Sequence, residues 1–236
     1  RWLWRWSWAV VAPMALLFLT VDFAFLGANI LKIPQGGWFP LVIGAVAFLL
    51  MITWKQGKAI VAVRLADDSL PLMDFLERVS LRSPVQVPGT AVFMAANKDI
   101  VPGALLHNLK HNKVMHARVV IVTVVPEMVA HISEERRFTV EQLAEGFYRV
   151  VIRFGFVEQP NVPAVLQRCR DYGLDFDMMD TSFFISRETL IPTAIPGMAL
   201  WREALFAAMS RNAASATDFF CIPANRVIEL GTQVQL

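Results

Sequence analysis

Trp8–Trp54 reads WAVVAPMALLFLTVDFAFLGANILKIPQGGWFPLVIGAVAFLLMITW and holds two formal charges, Asp22 and Lys32. A helix over 8–28, rising about 1.5 Å per residue, crosses a hydrocarbon layer about 30 Å thick. The second run, 38–54, has no charge and reaches the shortest length that spans, about 17 residues. Trp38 and Trp54 bracket it as interface anchors, and Pro40 sits near its first turn, where a missing N–H costs little. Between the runs, Pro34, Gly36 and Gly37 supply turn chemistry in a segment too short to be a domain. The reading is a membrane α-helical hairpin with antiparallel neighbours, both ends facing one compartment.

Charge placement orients the hairpin. Arg1 and Arg5 flank one end, Lys55, Lys58 and Arg64 the other, and Lys32 alone lies in the connection. The positive-inside rule then puts both ends, and everything after them, in the cytoplasm. The opening RWLWRWSW is an aromatic and basic interface cluster, and the absence of an initial Met reads as a piece cut from something longer. A signal peptide is the competing reading; the first apolar run is too long for one and leads into a second span.

Three polar residues stand out in the membrane part: Asp22, Asn29 and Lys32. A charge inside a span costs about 2.5–3.5 kcal/mol on insertion scales. Asp22 therefore either faces a bundle interior or water-filled pathway, or lies near the outer interface, protonated or hydrogen-bonded to a neighbouring helix. Pro13 kinks the helix early or sits in its first turn. Two helices cannot enclose a transport pathway, so the hairpin is either an anchor or part of a larger bundle.

Residues 55–236 carry 19 Lys+Arg and 19 Asp+Glu, interspersed. A neutral, mixed surface has no electrostatic footprint for nucleic acid. Cys169 and Cys221 are too few for a disulfide framework and read as free thiols. The domains expected are 1–57 as two transmembrane helices, 58–87 as a helical linker with Leu72, Phe75, Leu76 and Val79 at helical spacing, and 88–236 as a soluble α/β domain. In that domain AVFMAA (91–96) reads as a strand, 102–112 as a helix, and the β-branched ARVVIVTVV (117–125) as a buried central strand. Strand, helix, strand makes a crossover unit. RFTVEQL and GFYRVVIRFGF suggest an antiparallel pair, followed by a helix from Pro160 to Gly173, a strand at 181–186, a helix at 198–213 and a strand at 226–230. The sum is a mixed sheet.

Candidate chemistry there is thin. His107 and His111 lie four apart with His116 close behind, a spacing that can hold zinc, but no carboxylate lies between them and no further ligand is evident. No metal is expected. Asp175, Asp177 and Asp180 lack the glycine and closing glutamate of a calcium loop and read as a solvated turn. No phosphate loop or nucleophile elbow occurs. No cofactor or catalytic residue is assigned, and the domain reads as regulatory or structural.

Several motifs carry a resemblance. FLGANILKIPQGGWFPLVIG (25–44) with TWKQGK, HNLKHNKVMH (107–116), RFGFVEQPNVP (153–163), SFFISRE (182–188), WREALFAAMSRNA (201–213) and VIELG (227–231) resemble, in order, the end of the Kup/HAK/KT potassium uptake transporters. The resemblance implies a twelve-helix potassium–proton symporter of the amino acid–polyamine–organocation type, of which this chain is the last two helices plus the C-terminal cytoplasmic domain. It implies K+ and H+ as transported ions, a bacterial inner (plasma) membrane location, and the bilayer and the preceding helices as partners. It leaves homo-oligomers open. Ion sites in such folds lie on broken helices of the earlier repeats, so no ion ligand is transferred here. The alternatives are a two-helix membrane sensor with a cytoplasmic ligand-binding domain and, third, a membrane-tethered enzyme with a convergent polar pocket.

Overall fold

The computed structural model describes residues 7–67, 69–82, 84–191, 193 and 197–235. The expected charge anchors Arg1 and Arg5 lie outside the described residues. Two compact units make up the chain, 1–55 and 56–236.

In the first unit, α1 (Trp8–Ile30) and α2 (Trp38–Asp67, whose tail belongs to the second unit) are both long and apolar enough to cross a membrane. Three expectations change. The connection is not an open loop but one widened helical turn, Ile33–Gly37, in which the N–H groups of Gln35 and Gly37 donate to the Lys32 carbonyl and Gly36 takes φ +121°. Only glycine adopts that backbone without strain. The second helix continues thirteen residues past Trp54, because Trp54 ends the apolar run and not the helix. KQGKAIVAVRLAD is mostly good helix formers, which a single glycine does not interrupt. Finally, no residue of α1 is buried, and its closest association is with the turn rather than along α2. Apart from Asp22 and Asn29 on α1 the spans are apolar all round, and hydrocarbon gives little drive for two such surfaces to pair.

In the second unit, a six-stranded sheet is built from β1 (Val85–Ala95), β2 (Val114–Glu127), β3 (Phe138–Ala144), β4 (Phe147–Gly155), β5 (Thr181–Ile191) and β6 (Val227–Gln235). Its order is β3-β4-β2-β1-β5-β6, with β3 antiparallel to β4 and every other pair parallel. The mixed sheet and the antiparallel β3–β4 pair match the pattern read from the chain. Apolar residues alternate between the two faces because strand side chains alternate. Ala91, Phe93, Val119, Ile121 and Phe184 face one side, where α3 (Leu72–Arg82) and α4 (Gly103–Asn112) cover them. Val92, Val120, Val122, Val150, Ile152 and Phe183 face the other, where α5 (Val162–Arg168) covers them. Phe93 and Phe184 stack at 4.6 Å between centroids at the middle of the first core.

Residues 58–87, expected as a linker, are part of this unit. Leu72, Phe75, Leu76 and Val79 are all buried in the first core, and β1 already starts at Val85, pairing with Val114. The proline-rich SPVQVPG masked the strand's start; the structure absorbs Pro88 at a register irregularity between Val87 and Thr90. The helix expected over 198–213 is α6 (Leu200–Arg211), followed by the short α7 (Ala216–Phe219).

Candidate functional site

Of the membrane residues singled out, Asp22 and Asn29 lie on α1 and Lys32 lies at the head of the turn. Seven residues make almost two full turns, so Asp22 and Asn29 occupy one face, about 10 Å apart along the axis. Both are exposed. They form a polar face on an otherwise apolar cylinder; Lys32 contributes its backbone carbonyl to the turn.

In the α/β unit, sequential order reverses between β1 and β5, the position where open parallel sheets form a crevice beyond their strand ends. Here the loop after β1 is bound by the chain itself. Leu72 N–H donates to the Asp99 carbonyl at 2.9 Å and Val101 N–H to the Leu70 carbonyl at 3.0 Å. Ser186 Oγ, on β5, accepts from Ala104 N–H at 3.1 Å and so satisfies a first-turn donor of α4. Arg149 ties the same edge together, reaching Glu141 at 2.6 Å, Asp99 at 3.1 Å and the Lys98 carbonyl. A groove of about 460 Å³ opens at the other end of the strands, lined by Leu76, Val79, Gln86, Met115 and Phe147, with Glu145 its one carboxylate.

The sharpest electrostatic feature is a clamp that sequence reading passed over. Arg137 makes a bidentate pair with Glu158 at 2.6 and 2.7 Å, and its guanidinium lies over the Phe154 ring. Glu158 also accepts from Gly155 N–H at 2.7 Å and Ile132 N–H at 3.4 Å. The Arg137 hydrogen bond, then the Gly155 amide, pull the Glu158 carboxyl down to about 2. A fully buried carboxylate, Glu203 on α6, accepts from the backbone N–H groups of Thr193 and Met198 and so holds the chain entering that helix. Neither residue had a sequence signal beyond an acid amid apolar neighbours.

The histidines part company: His107 and His111 stack on α4 at 5.8 Å, whereas His116 lies on β2, edge-on to Phe184. Burial lowers the His116 pKa, against an opposing pull from Asp180. Asp177 caps a short turn, accepting from Met179 N–H at 2.8 Å. Cys169 is buried, its thiol pushed up to about 12 by that burial, and Cys221 is half-buried; both are free.

Two spanning helices joined to a doubly covered α/β sheet define part of an integral membrane protein. A family model for the K+ potassium transporter integral membrane domain matches residues 1–59, and one for the K+ potassium transporter C-terminal domain matches residues 88–236. The chain belongs to the K+ potassium transporter family. It is 55% identical to a probable potassium transport system protein Kup 1 of Paramagnetospirillum magneticum, covering 99% of this chain and 37% of that protein. It is 56% identical to a probable potassium transport system protein Kup of Myxococcus xanthus, covering 98% and 35% respectively. The chain thus spans little more than a third of the curated relatives it matches. No solved structure matches it.

Proposed function

We propose that this chain is the C-terminal portion of a secondary transporter that imports potassium together with protons across the bacterial inner membrane. The observation that carries the reading is the two family models, membrane domain then C-terminal domain, matched in order along one chain. The largely exposed apolar surface of α1 supports it, since such a surface needs lipid or further helices around it. In this reading α1 and α2 close a larger helical bundle, and the α/β unit lies in the cytoplasm as scaffold and regulator. The ion site belongs to the rest of the bundle, read here as a twelve-helix arrangement of the amino acid–polyamine–organocation type. Neither resident cofactor nor metal enters the cycle; K+ and H+ are cargo.

The test is complementation. In a strain unable to take up potassium, the full-length protein is expected to restore growth at low potassium and rubidium-86 uptake, and uptake is expected to collapse when a protonophore is added. The 236-residue chain alone is expected to carry no flux in proteoliposomes. Flux through the isolated chain would overturn the division of labour, and no uptake by the expressed full-length protein would overturn the transport reading.

A further inference from the structure

At the ends of β2 and β4 four apolar side chains point into solvent: Met128 at 97% exposure, Phe156 at 71%, Val157 at 61% and Val129 at 46%. They come from two loops that the backbone locks together. Phe156 N–H donates to the Val129 carbonyl at 2.9 Å and Val157 N–H to the Ala130 carbonyl, extending the β2–β4 ladder past Glu127 and Gly155. Gly155 permits this approach, because a Cβ there would collide with the carbonyl oxygens of Ala130 and Val129. The Arg137–Glu158 clamp sits behind both loops: Glu158 holds the amides of Gly155 and Ile132, and Arg137 donates to the Ile132 carbonyl at 2.9 Å. The tip is therefore preorganised, which lowers the ordering cost of binding.

We propose that this tip docks onto the cytoplasmic surface of the membrane segment that precedes residue 1 in the full-length protein. Resting on the transporter reading above, the assignment follows from size and charge. Four side chains bury far less than the roughly 800 Å² per partner of a stable association between free molecules. So small a contact becomes effective when the partner is tethered, where effective concentrations reach the order of millimolar. About two thirds of the relatives' length lies outside this chain, which makes a tethered partner available. The rim is mixed in sign, with Glu127, Glu134 and Arg136 around the tip, and so gives no attraction to an anionic lipid surface.

The test uses the full-length protein in native membranes with a photo-crosslinking amino acid at position 156, and at the exposed Met179 as control. Irradiation is expected to join position 156, and not 179, to a peptide preceding residue 1 of the same polypeptide, without a change to dimer mass. The double substitution M128S/V129S is expected to lower that yield at least about tenfold, with the melting temperature unchanged because both side chains are exposed. Cross-linking to a second copy, to lipid, to another protein or to residues 1–55 would overturn the proposal, as would no cross-link or an unchanged yield in the double variant. Rubidium uptake by the same membranes reports separately on the transporter reading.

Discussion

Glu158 shows how a single side chain sets the conditions under which a loop keeps its shape. Its carboxyl falls from the ordinary 4.5 to about 2 in the fold. A depressed carboxylate contributes stability that is complete above the unfolded value and is lost as pH falls through the folded one. Unfolding of the detergent-solubilised chain is therefore expected to ease between about pH 4.5 and pH 2. Glu158→Gln should flatten that slope while lowering stability at neutral pH; an unchanged acid profile would remove the clamp from the account. Asp22 belongs to this scale too. Sharing a face with Asn29, it is expected to look into the bundle, and Asp22→Asn in the full-length protein should reduce rubidium uptake with membrane abundance unchanged. Unchanged uptake would return Asp22 to the interface.

Among the elements, the sheet is held by what lies between its faces and its helices. Phe93 is 1% exposed and stacked on Phe184, with β1 at the centre of the order. Phe93→Ala is expected to cost about 3–5 kcal/mol, read as a lowered midpoint in chemical denaturation. A loss under about 1 kcal/mol would mean the core collapses around the gap. Much of this was legible in the chain. The β-branched VVIVTVV of β2 permits little else, and the spacing of Leu72, Phe75, Leu76 and Val79 marks a helix face. Spacing says which side is apolar but not what it meets, so α3 passed for a linker although it closes a core. The early start of β1 hid behind Pro84 and Pro88. The clamp was invisible because Arg137 and Glu158 are 21 positions apart and only the β2–β4 and β3–β4 pairings bring them together.

The molecule as a whole carries two solvents' worth of surface. α1 and the apolar part of α2 expose Leu16, Leu17, Phe18, Phe23, Phe39 and Phe48, whereas the surface of 55–236 has balanced charges. The chain is expected to stay in the membrane pellet after alkaline carbonate washing, with release to the supernatant contradicting two spanning helices. The order of strands has a further consequence, in the time the chain takes to be made. Thr90 of β1 lies beside Thr181 of β5, yet 91 positions separate them. Synthesis proceeds at about 5–20 residues per second, so β1 waits several seconds at least for one of its two neighbours. The half-sheet β1-β2-β4-β3 can close first, from contacts nearer in sequence. The β5–β6 half arrives later. Until then the inner edge of β1 is an open template. A chain stalled before β5 would leave that edge bare, a ready template for pairing with another chain.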